Sequence, residues 1–200
     1  VYSATPTVNV GDLLRITGSV SEYYNQTQIT PSSASTVLTC NTGQTIAALE
    51  LTLPAVAPKN YEPLEGMLVT FPQALYISEY FNYDRYGEIV LASSRHFSST
   101  HANEPGAEAN AADAAYLLDM IKVDDTLTSQ NPPYLRHPDG TQFTKTHYFR
   151  GGDTVTGLTG IMDYSNNEYK IQPVGTATYT SLNARPAAPA WLSVPSSRAG

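Results

Sequence analysis

Cysteine is almost absent from this sequence, since Cys40 is the only one among 200 residues. A single thiol cannot form an internal disulfide, so stability must come from packing, bound ions or assembly. Long apolar runs are absent as well, and the sequence therefore predicts no membrane-spanning helix and no membrane partner. Val1 follows no segment of the signal-peptide type, so we expect a mature product or a fragment.

Charged residues are also scarce, at 14% of the chain against the usual level of about a quarter. Eighteen acidic residues against eleven basic ones give a net charge of −7. That balance opposes the counterion release that drives binding to nucleic-acid phosphates. The remaining surface must be polar but weakly charged, which is typical of extracellular β-proteins, and we predict a secreted protein.

An internal repeat is the most informative pattern that the sequence contains. The segment from Gly11 to Pro31 aligns with the segment from Gly152 to Pro173 when one residue is inserted. Each copy has a Gly-Asp turn, an alternating strand interrupted by a Thr-Gly step, a polar turn with Asn, and a return strand that ends at Pro. The repeat predicts the same β-hairpin twice.

The second copy has further elements in front of it. Strands are predicted at Glu65–Glu79, Tyr86–Ala92 and Ser94–Ser98, and apolar residues then recur at helical spacing from Ala107 until Asp124. Three strands, a helix and a hairpin are typical of the oligonucleotide/oligosaccharide-binding (OB) barrel. We therefore predict a mainly β chain with an OB-type five-stranded barrel and one helix over residues 65–175.

The first copy has no such context, so residues 1–31 are predicted to be a hairpin left over from a preceding OB-like unit. Residues 32–64 are predicted to be a linker with a strand at Thr45–Leu53, and residues 176–200 a Pro-rich extended tail. Because a two-stranded ribbon is marginal alone and has open edges, we expect it to dock on another surface and to produce a homo-oligomer or filament. The residues expected to make the assembly contact are Val10, Leu13, Leu14, Ile16, Val20 and Ile29.

Histidine offers only weak candidates for a metal site. The spacing of His96 and His101 suits neither one helical face nor one strand face, so both are predicted to be structural. His137 and His147 lie in a long loop over residues 126–151 and give a weaker signal still. Acidic loop residues are better candidates, for calcium, although no EF-hand spacing is present and ordinary solvation is the alternative. The calcium candidates are Asp84, Glu88, Asp124, Asp125, Asp153 and Asp163.

Aromatic residues cluster around the first two predicted barrel strands, where OB folds stack bases or sugars. Only Arg85 and Arg95 supply positive charge nearby, which is too little to track a phosphate backbone. Ordinary half-buried strand residues are therefore the alternative reading. The candidate nucleic-acid face consists of Tyr76, Tyr80, Tyr83, Arg85 and Tyr86.

Four runs carry a resemblance to a known family: VGDLLRITGSVSEYYNQTQIT, YEPLEGMLVTFPQALYISEYFNYDRYGEIVLASS, QNPPYLRHPDG and GGDTVTGLTGIMDYSNNEYKIQP. Together they resemble the OB-fold region that precedes the catalytic domain of large secreted bacterial nucleases of the endonuclease/exonuclease/phosphatase class. The resemblance implies a bacterial, extracellular, nuclease-associated module without the catalytic domain.

The chemistry of that family depends on motifs that this sequence does not contain. Metal-dependent phosphodiester hydrolysis needs converging carboxylates, an Asn and a His, and neither a Gly-Asp-x-Asn run nor a Ser-Asp-His run is present. No catalytic residue is transferred, and we predict no enzyme activity. Our leading hypothesis is a structural, self-assembling subunit that forms a filament through strand contacts between subunits. The alternative is an accessory module that binds nucleic acid, which the net charge opposes.

Overall fold

The computed structural model describes residues 8–186, and its regular structure is mainly β-strand, which confirms the predicted class. Short 3-10 turns lie at Ala34–Thr36 and Glu62–Leu64. Among residues 8–186, no helix has both the length and the apolarity that are needed to span a membrane. The elements are β1 Leu13–Ile16, β2 Gly18–Tyr23, β3 Gln26–Pro31, β4 Val37–Asn41, β5 Leu49–Glu50, β6 Leu68–Phe71, β7 Leu75–Glu79, α1 Tyr83–Tyr86, β8 Ile89–Ala92, α2 Ser99–Ala102, α3 Ala107–Leu118, β9 Met120–Val123, β10 Thr154–Thr156, β11 Leu158–Ser165, β12 Glu168–Pro173 and β13 Thr178–Thr180.

A nine-stranded sheet with the order β13-β10-β7-β8-β9-β12-β11-β6-β5 forms the body of the molecule. Its pairs are antiparallel except for β9 with β12 and β5 with β6. Only residues 72–74 separate β6 from β7, although four other strands lie between them in the sheet order. The sheet therefore curls back on itself in a barrel-like form.

The core fills the inside of this curled sheet. Alternate residues of β6 and β7 are buried, because successive side chains on a strand point to opposite faces. Phe149 and Tyr61 contribute from loops. The core residues are Leu53, Tyr61, Val69, Phe71, Leu75, Ile77, Tyr83, Ile89, Leu91, Ile121, Val123, Phe149, Val155, Leu158, Met162 and Ile171.

Several of the predicted element assignments were wrong. The strand predicted at Glu65–Glu79 is divided into β6 and β7, and Tyr86, predicted to begin the next strand, ends α1. Residues 94–98 do not form a strand, and the strand after β8 is β9, which follows the long helix instead of preceding it. The helix begins at Ala107 as predicted but ends at Leu118, so Ile121 belongs to β9. The spacing of these apolar residues fits a helix and an inward-facing strand equally well, and short apolar runs are ambiguous for this reason.

The first copy of the repeat forms its hairpin, β2 with β3, as a separate two-stranded sheet. The segment predicted as a linker adds an unforeseen strand, β4, which pairs with β1, and its predicted strand is reduced to Leu49–Glu50. Thr17 joins the two small sheets, since its N–H donates to Thr36 O and its carbonyl accepts from Ser32 N. We call β1–β4 the N-terminal ribbon.

The second copy of the repeat lies within the nine-stranded sheet, as β11 and β12. It continues into β13, a strand within the segment that was predicted to be an extended tail. We call β10–β13 the C-terminal unit. The first residues of the predicted hairpin, 1–7, and most of the Pro-rich tail, 187–200, lie outside the described residues.

Candidate functional site

A polar cleft of about 710 Å³ opens between α1, the loop that follows β9, and the turn between β11 and β12. Glu88 enters it from the segment before β8, Lys122 from β9 and Lys170 from β12. Lys122 and Lys170 lie on neighbouring strands, β9 and β12, and both contact Glu88 in the cleft. Tyr86, Gln130 and Asn166 lie along its rim.

Lys170 forms the centre of an ion network at the floor of the cleft. Its side chain is only 2% exposed, and its ammonium group bonds to Glu88 and lies 3.4 Å from Asp124 Oδ2. Lys122 lies 3.3 Å from Glu88 Oε2 and also bonds to Glu168. Buried charges are tolerated when they are paired, so the buried Lys170 depends on its carboxylate partners.

The pKa directions fit a floor that stays charged at neutral pH. Burial alone would raise the pKa of Glu88, but the hydrogen bond and charge of Lys170, followed by the charge of Lys122, lower it below the ordinary value. Burial alone would lower the pKa of Lys122, but Glu168 and Glu88 raise it. Glu88 and Lys122 therefore favour their charged forms, and carboxylates outnumber ammonium groups in the cleft.

Three of the predicted calcium residues, Glu88, Asp124 and Asp163, line this cleft together. Glu88 and Asp124 already have Lys170 as a partner, and Asp163 accepts hydrogen bonds from Gln26 Nε2 at 2.8 Å and Gln172 Nε2 at 3.2 Å. Lysine competes with a cation for these oxygens. The calcium hypothesis stays a prediction that this arrangement does little to support.

The other three calcium candidates, Asp84, Asp125 and Asp153, do not line this cleft. Asp84 is exposed on α1, and Asp125 Oδ1 accepts from the Leu127 N–H at 2.8 Å. Asp153 is fully buried and accepts the backbone N–H groups of three residues and the Tyr179 hydroxyl. Those three backbone donors belong to Arg150, Leu182 and Asn183.

The predicted nucleic-acid face is divided between core and surface. Tyr83 lies in the hydrophobic core and its hydroxyl donates to Arg136 O at 3.0 Å, so its ring is not available for stacking. Arg85 stacks over the Tyr86 ring at 5.2 Å and bonds to Gln130 beside the cleft. Tyr80 is half exposed and Tyr76 is half-buried in β7.

The predicted assembly residues are all on the N-terminal ribbon or just before it, and none belongs to the hydrophobic core. Val10, Leu13 and Val20 are exposed, while Leu14, Ile16 and Ile29 are partly buried. The ribbon touches the barrel through its β2–β3 turn, where Gln26 reaches Asp163 and the Thr27 N–H donates to Glu65 at 2.9 Å. Within the described part of the chain, the apolar side chains of the ribbon therefore do not belong to the hydrophobic core.

Sequence reasoning did not anticipate a cluster of His137, Asp139 and His147 in the long loop. His137 Nδ1 lies 2.9 Å from Asp139 Oδ1, and His147 Nε2 lies 2.9 Å from Asp139 Oδ2. The available signal was the run His137-Pro138-Asp139-Gly140 with a second histidine ten residues after the first. Periodicity does not reveal such a site, because a loop has none.

Comparison with known proteins identifies the family of the chain. Residues 40–183 match the family described as a domain of unknown function, DUF8508, and the chain belongs to that family. No curated protein matches the sequence, and no solved structure matches it. Strands β1–β3 of the N-terminal ribbon precede the matched region, whereas the cleft and the histidine cluster lie inside it.

Proposed function

We propose that the chain is a non-catalytic extracellular module that assembles by adding its N-terminal ribbon to the sheet of a neighbouring copy. The proposal rests on one observation, which is that the chain contains the same arrangement of four strands twice. The N-terminal ribbon repeats the C-terminal unit strand for strand, but within residues 8–186 the strands that cover the C-terminal unit have no counterpart around the ribbon.

The two units share their hairpin register. In β2–β3, Gly18 pairs with Pro31 and Val20 with Ile29. In β11–β12, Gly160 pairs with Pro173 and Met162 with Ile171, which are the aligned positions. The turns agree as well, since Tyr24, Asn25, Asn166 and Asn167 all have φ between 52° and 64°. Adjacent left-handed residues are typical of the tight turns that suit the twist of a hairpin.

The two units differ in what covers their apolar residues. Met162 is fully buried, whereas the aligned Val20 is 69% exposed. The positions aligned with Leu14, Ile16 and Ile29 are core residues of the barrel, namely Val155, Leu158 and Ile171. Within residues 8–186, the ribbon has the apolar pattern of the barrel lining, but Leu14, Ile16 and Ile29 are only partly buried and Val20 is exposed. Apolar residues that lie together and are incompletely covered are typical of interaction surfaces.

The strand edges differ in the same way. In the C-terminal unit, β10 also pairs with β7, β11 with β6, and β12 with β9. In the N-terminal ribbon, β1 pairs only with β4 and β2 only with β3 within residues 8–186. Unpaired strand edges accept additional strands readily, and strand addition is an established mode of protein association.

The nine-stranded sheet also has two end strands, β5 and β13, that could receive the ribbon of another copy. A contact between a ribbon and a different surface is heterologous, so it repeats head to tail and produces a filament unless the rotation closes a ring. The arrangement of β6/β7, β8, β9, β11 and β12 supports an OB-type barrel as the repeating body. The nuclease-associated resemblance supports an extracellular location.

The alternative function, nucleic-acid binding, has less support. The cleft on the side of β8, β9 and β12 is lined by four carboxylates, Glu88, Asp124, Asp163 and Glu168, and only two lysines. Phosphate groups would meet net repulsion there. The assembly hypothesis requires no positive groove.

Sedimentation velocity and negative-stain electron microscopy of the purified chain test the assembly proposal. We expect species larger than a monomer whose population rises with protein concentration. Val20→Glu places a charge on the apolar face of the ribbon and should shift the distribution to monomer. Val56→Glu is the matched control, because Val56 is 88% exposed outside the ribbon and its change should leave assembly intact.

Two outcomes would reject the proposal. One is a wild-type chain that remains monomeric over the whole concentration range. The other is a Val20→Glu variant that assembles as the wild type does.

A further inference from the structure

We propose that His137, Asp139 and His147 form a binding site for a divalent transition metal ion of the Zn²⁺ type. This site is separate from the N-terminal ribbon, and it does not depend on the proposed assembly function. Of the residues that the structure describes, these are the ones whose His, Cys, Asp or Glu side chains gather three potential ligand atoms within 4.8 Å of one another.

The distances suit coordination. Zn²⁺ binds His nitrogen and carboxylate oxygen at about 2.0–2.2 Å, so two ligand atoms on one tetrahedral ion lie about 3.3 Å apart. Each imidazole nitrogen lies 2.9 Å from an oxygen of Asp139. The two rings have their centroids 4.0 Å apart. A small outward movement of the three side chains would admit an ion among them.

The chain holds the ligands in place through local bonds. Asp139 Oδ1 accepts from the Thr141 N–H at 2.9 Å and from the Thr141 hydroxyl at 2.7 Å. The His147 N–H donates to Thr144 Oγ1 at 2.9 Å. Gly140 has φ +90°, which turns the chain back sharply after Asp139. These local bonds orient Asp139 and His147, and the Tyr179 ring of β13 packs against His137.

The donor set also fits a cation. The cluster supplies two imidazoles and one carboxylate. A neutral imidazole and an ionised carboxylate are the forms that bind metal ions.

His137 is fully buried, and its Nε2 has no hydrogen-bond partner among the described residues. Its Nδ1 lies 2.9 Å from Asp139 Oδ1 and also accepts the Asp139 N–H at 3.3 Å. An ion bound at Nδ1 would replace that long contact from the Asp139 N–H.

The site has one accessible side. The His147 side chain is 44% exposed, whereas the His137 side chain is fully buried and packs against the Tyr179 ring. An ion would enter from the His147 side and keep a coordination position open to water. Three protein ligands with an open position is the arrangement that zinc adopts where it binds an exchangeable ligand.

Isothermal titration of Zn²⁺ into chelator-treated, untagged protein tests the proposal, with Co²⁺ absorption as a second probe of nitrogen coordination. We expect one ion per chain and a visible Co²⁺ spectrum. His147→Ala should weaken Zn²⁺ binding by more than about tenfold, the loss that removal of an outer partner alone can produce. The matched control is His101→Ala, since His101 is an exposed histidine elsewhere and its change should leave Zn²⁺ affinity unaltered.

His147→Gln provides a second variant that removes the ring but keeps a polar side chain, in case the alanine variant proves unstable. Thermal unfolding of the metal-free proteins checks that both variants are folded. The proposal is overturned if the wild type takes up no Zn²⁺ at protein concentration, or if the His147 variants bind it as tightly as the His101 variant does. In that event the cluster is a hydrogen-bonded triad that only shapes the loop.

Discussion

The N-terminal ribbon and the C-terminal unit are two versions of the same hairpin in two environments. Both have the Gly-to-Pro pairing at the open end and two left-handed residues in the turn. In one, the apolar residues line a core. In the other, Val20 is exposed and Leu14, Ile16 and Ile29 are only partly buried. The comparison shows that local sequence determines a hairpin and its register, whereas the strands around it determine which side chains become buried.

Glycine explains why the local geometry is so alike. A Cβ atom on Gly18 would lie 2.1 Å from Thr30 O, and one on Gly160 would lie 2.5 Å from Gln172 O. Neither distance is compatible with a side chain, so both hairpins need glycine opposite the end of the return strand. This constraint acts within each hairpin and is independent of the barrel.

Substitution of Lys170 should give the largest difference in the free energy of unfolding between the two units. Lys170→Met leaves Glu88 and Asp124 without their main partner, and removing one member of a buried ion pair costs about 3–5 kcal/mol. The aligned residue in the ribbon is Gln28, and Gln28→Met should change stability by less than about 0.5 kcal/mol. Urea denaturation, monitored by far-UV circular dichroism, measures the free energy of unfolding of both variants.

A double-mutant cycle sharpens this test. Combining Lys170→Met with Glu88→Gln removes both charges of the pair, and we expect a coupling energy of about 1–3 kcal/mol. Strict additivity of the two single changes would show that the ion pair contributes nothing, and would contradict our description of the cleft floor.

Substitution of Met162 should give the next largest difference in the free energy of unfolding. Met162→Ala removes a fully buried side chain from the core and should lower the free energy of unfolding by about 3 kcal/mol. Val20→Ala, at the aligned position, should cost less than about 0.5 kcal/mol in the monomer. The same denaturation experiment at low protein concentration compares them, and equal losses would mean that the ribbon is covered within its own subunit.

The sequence predicted the features that arise from local rules. The repeat identified both hairpins, and the helical spacing identified the start of α3. The end of α3 was wrong because the apolar spacing around Leu118 and Ile121 fits both a helix and a strand. The strand predicted at residues 94–98 was wrong as well, since β9, which follows α3, pairs with β8 instead. Strand β4 was not foreseen, since the Ser- and Thr-rich composition of residues 32–45 predicted a linker, whereas residues 37–41 pair with β1.

Long-range contacts account for most of the rest. Lys170 meets Glu88 across 82 positions of sequence, and no local pattern announces that pair. The histidine cluster is local, but its members are brought together by loop turns at Asp139 and Gly140 instead of by a repeating element. The candidate cleft and the candidate metal site therefore emerged only once the chain was folded.

Of the three pairs of aligned residues, Asp153 and Asp12 should differ least in their effect on the free energy of unfolding. They occupy aligned positions, and each closes a local turn by accepting a backbone N–H, from Arg150 at 2.7 Å and from Asn9 at 2.8 Å. Asp153 has additional donors that come from the segment after β13, at Leu182 and Asn183. Removing it leaves buried donors unpaired, so Asp153→Ala should cost about 2 kcal/mol at neutral pH, against less than about 1 kcal/mol for Asp12→Ala.

The pH dependence distinguishes this mechanism from simple loss of packing. Burial would raise the pKa of Asp153, but the Tyr179 hydroxyl and the backbone donors lower it below the ordinary value. A carboxylate whose pKa is lowered by folding contributes its stability above the unfolded pKa of about 3.9, and loses it as the pH falls through the folded value. The stability gap between wild type and Asp153→Ala should therefore be constant from neutral pH to about pH 5 and should shrink in more acidic buffer. Urea unfolding as a function of pH measures it, and a gap that stays the same in strong acid would show that Asp153 acts through its shape instead of its charge.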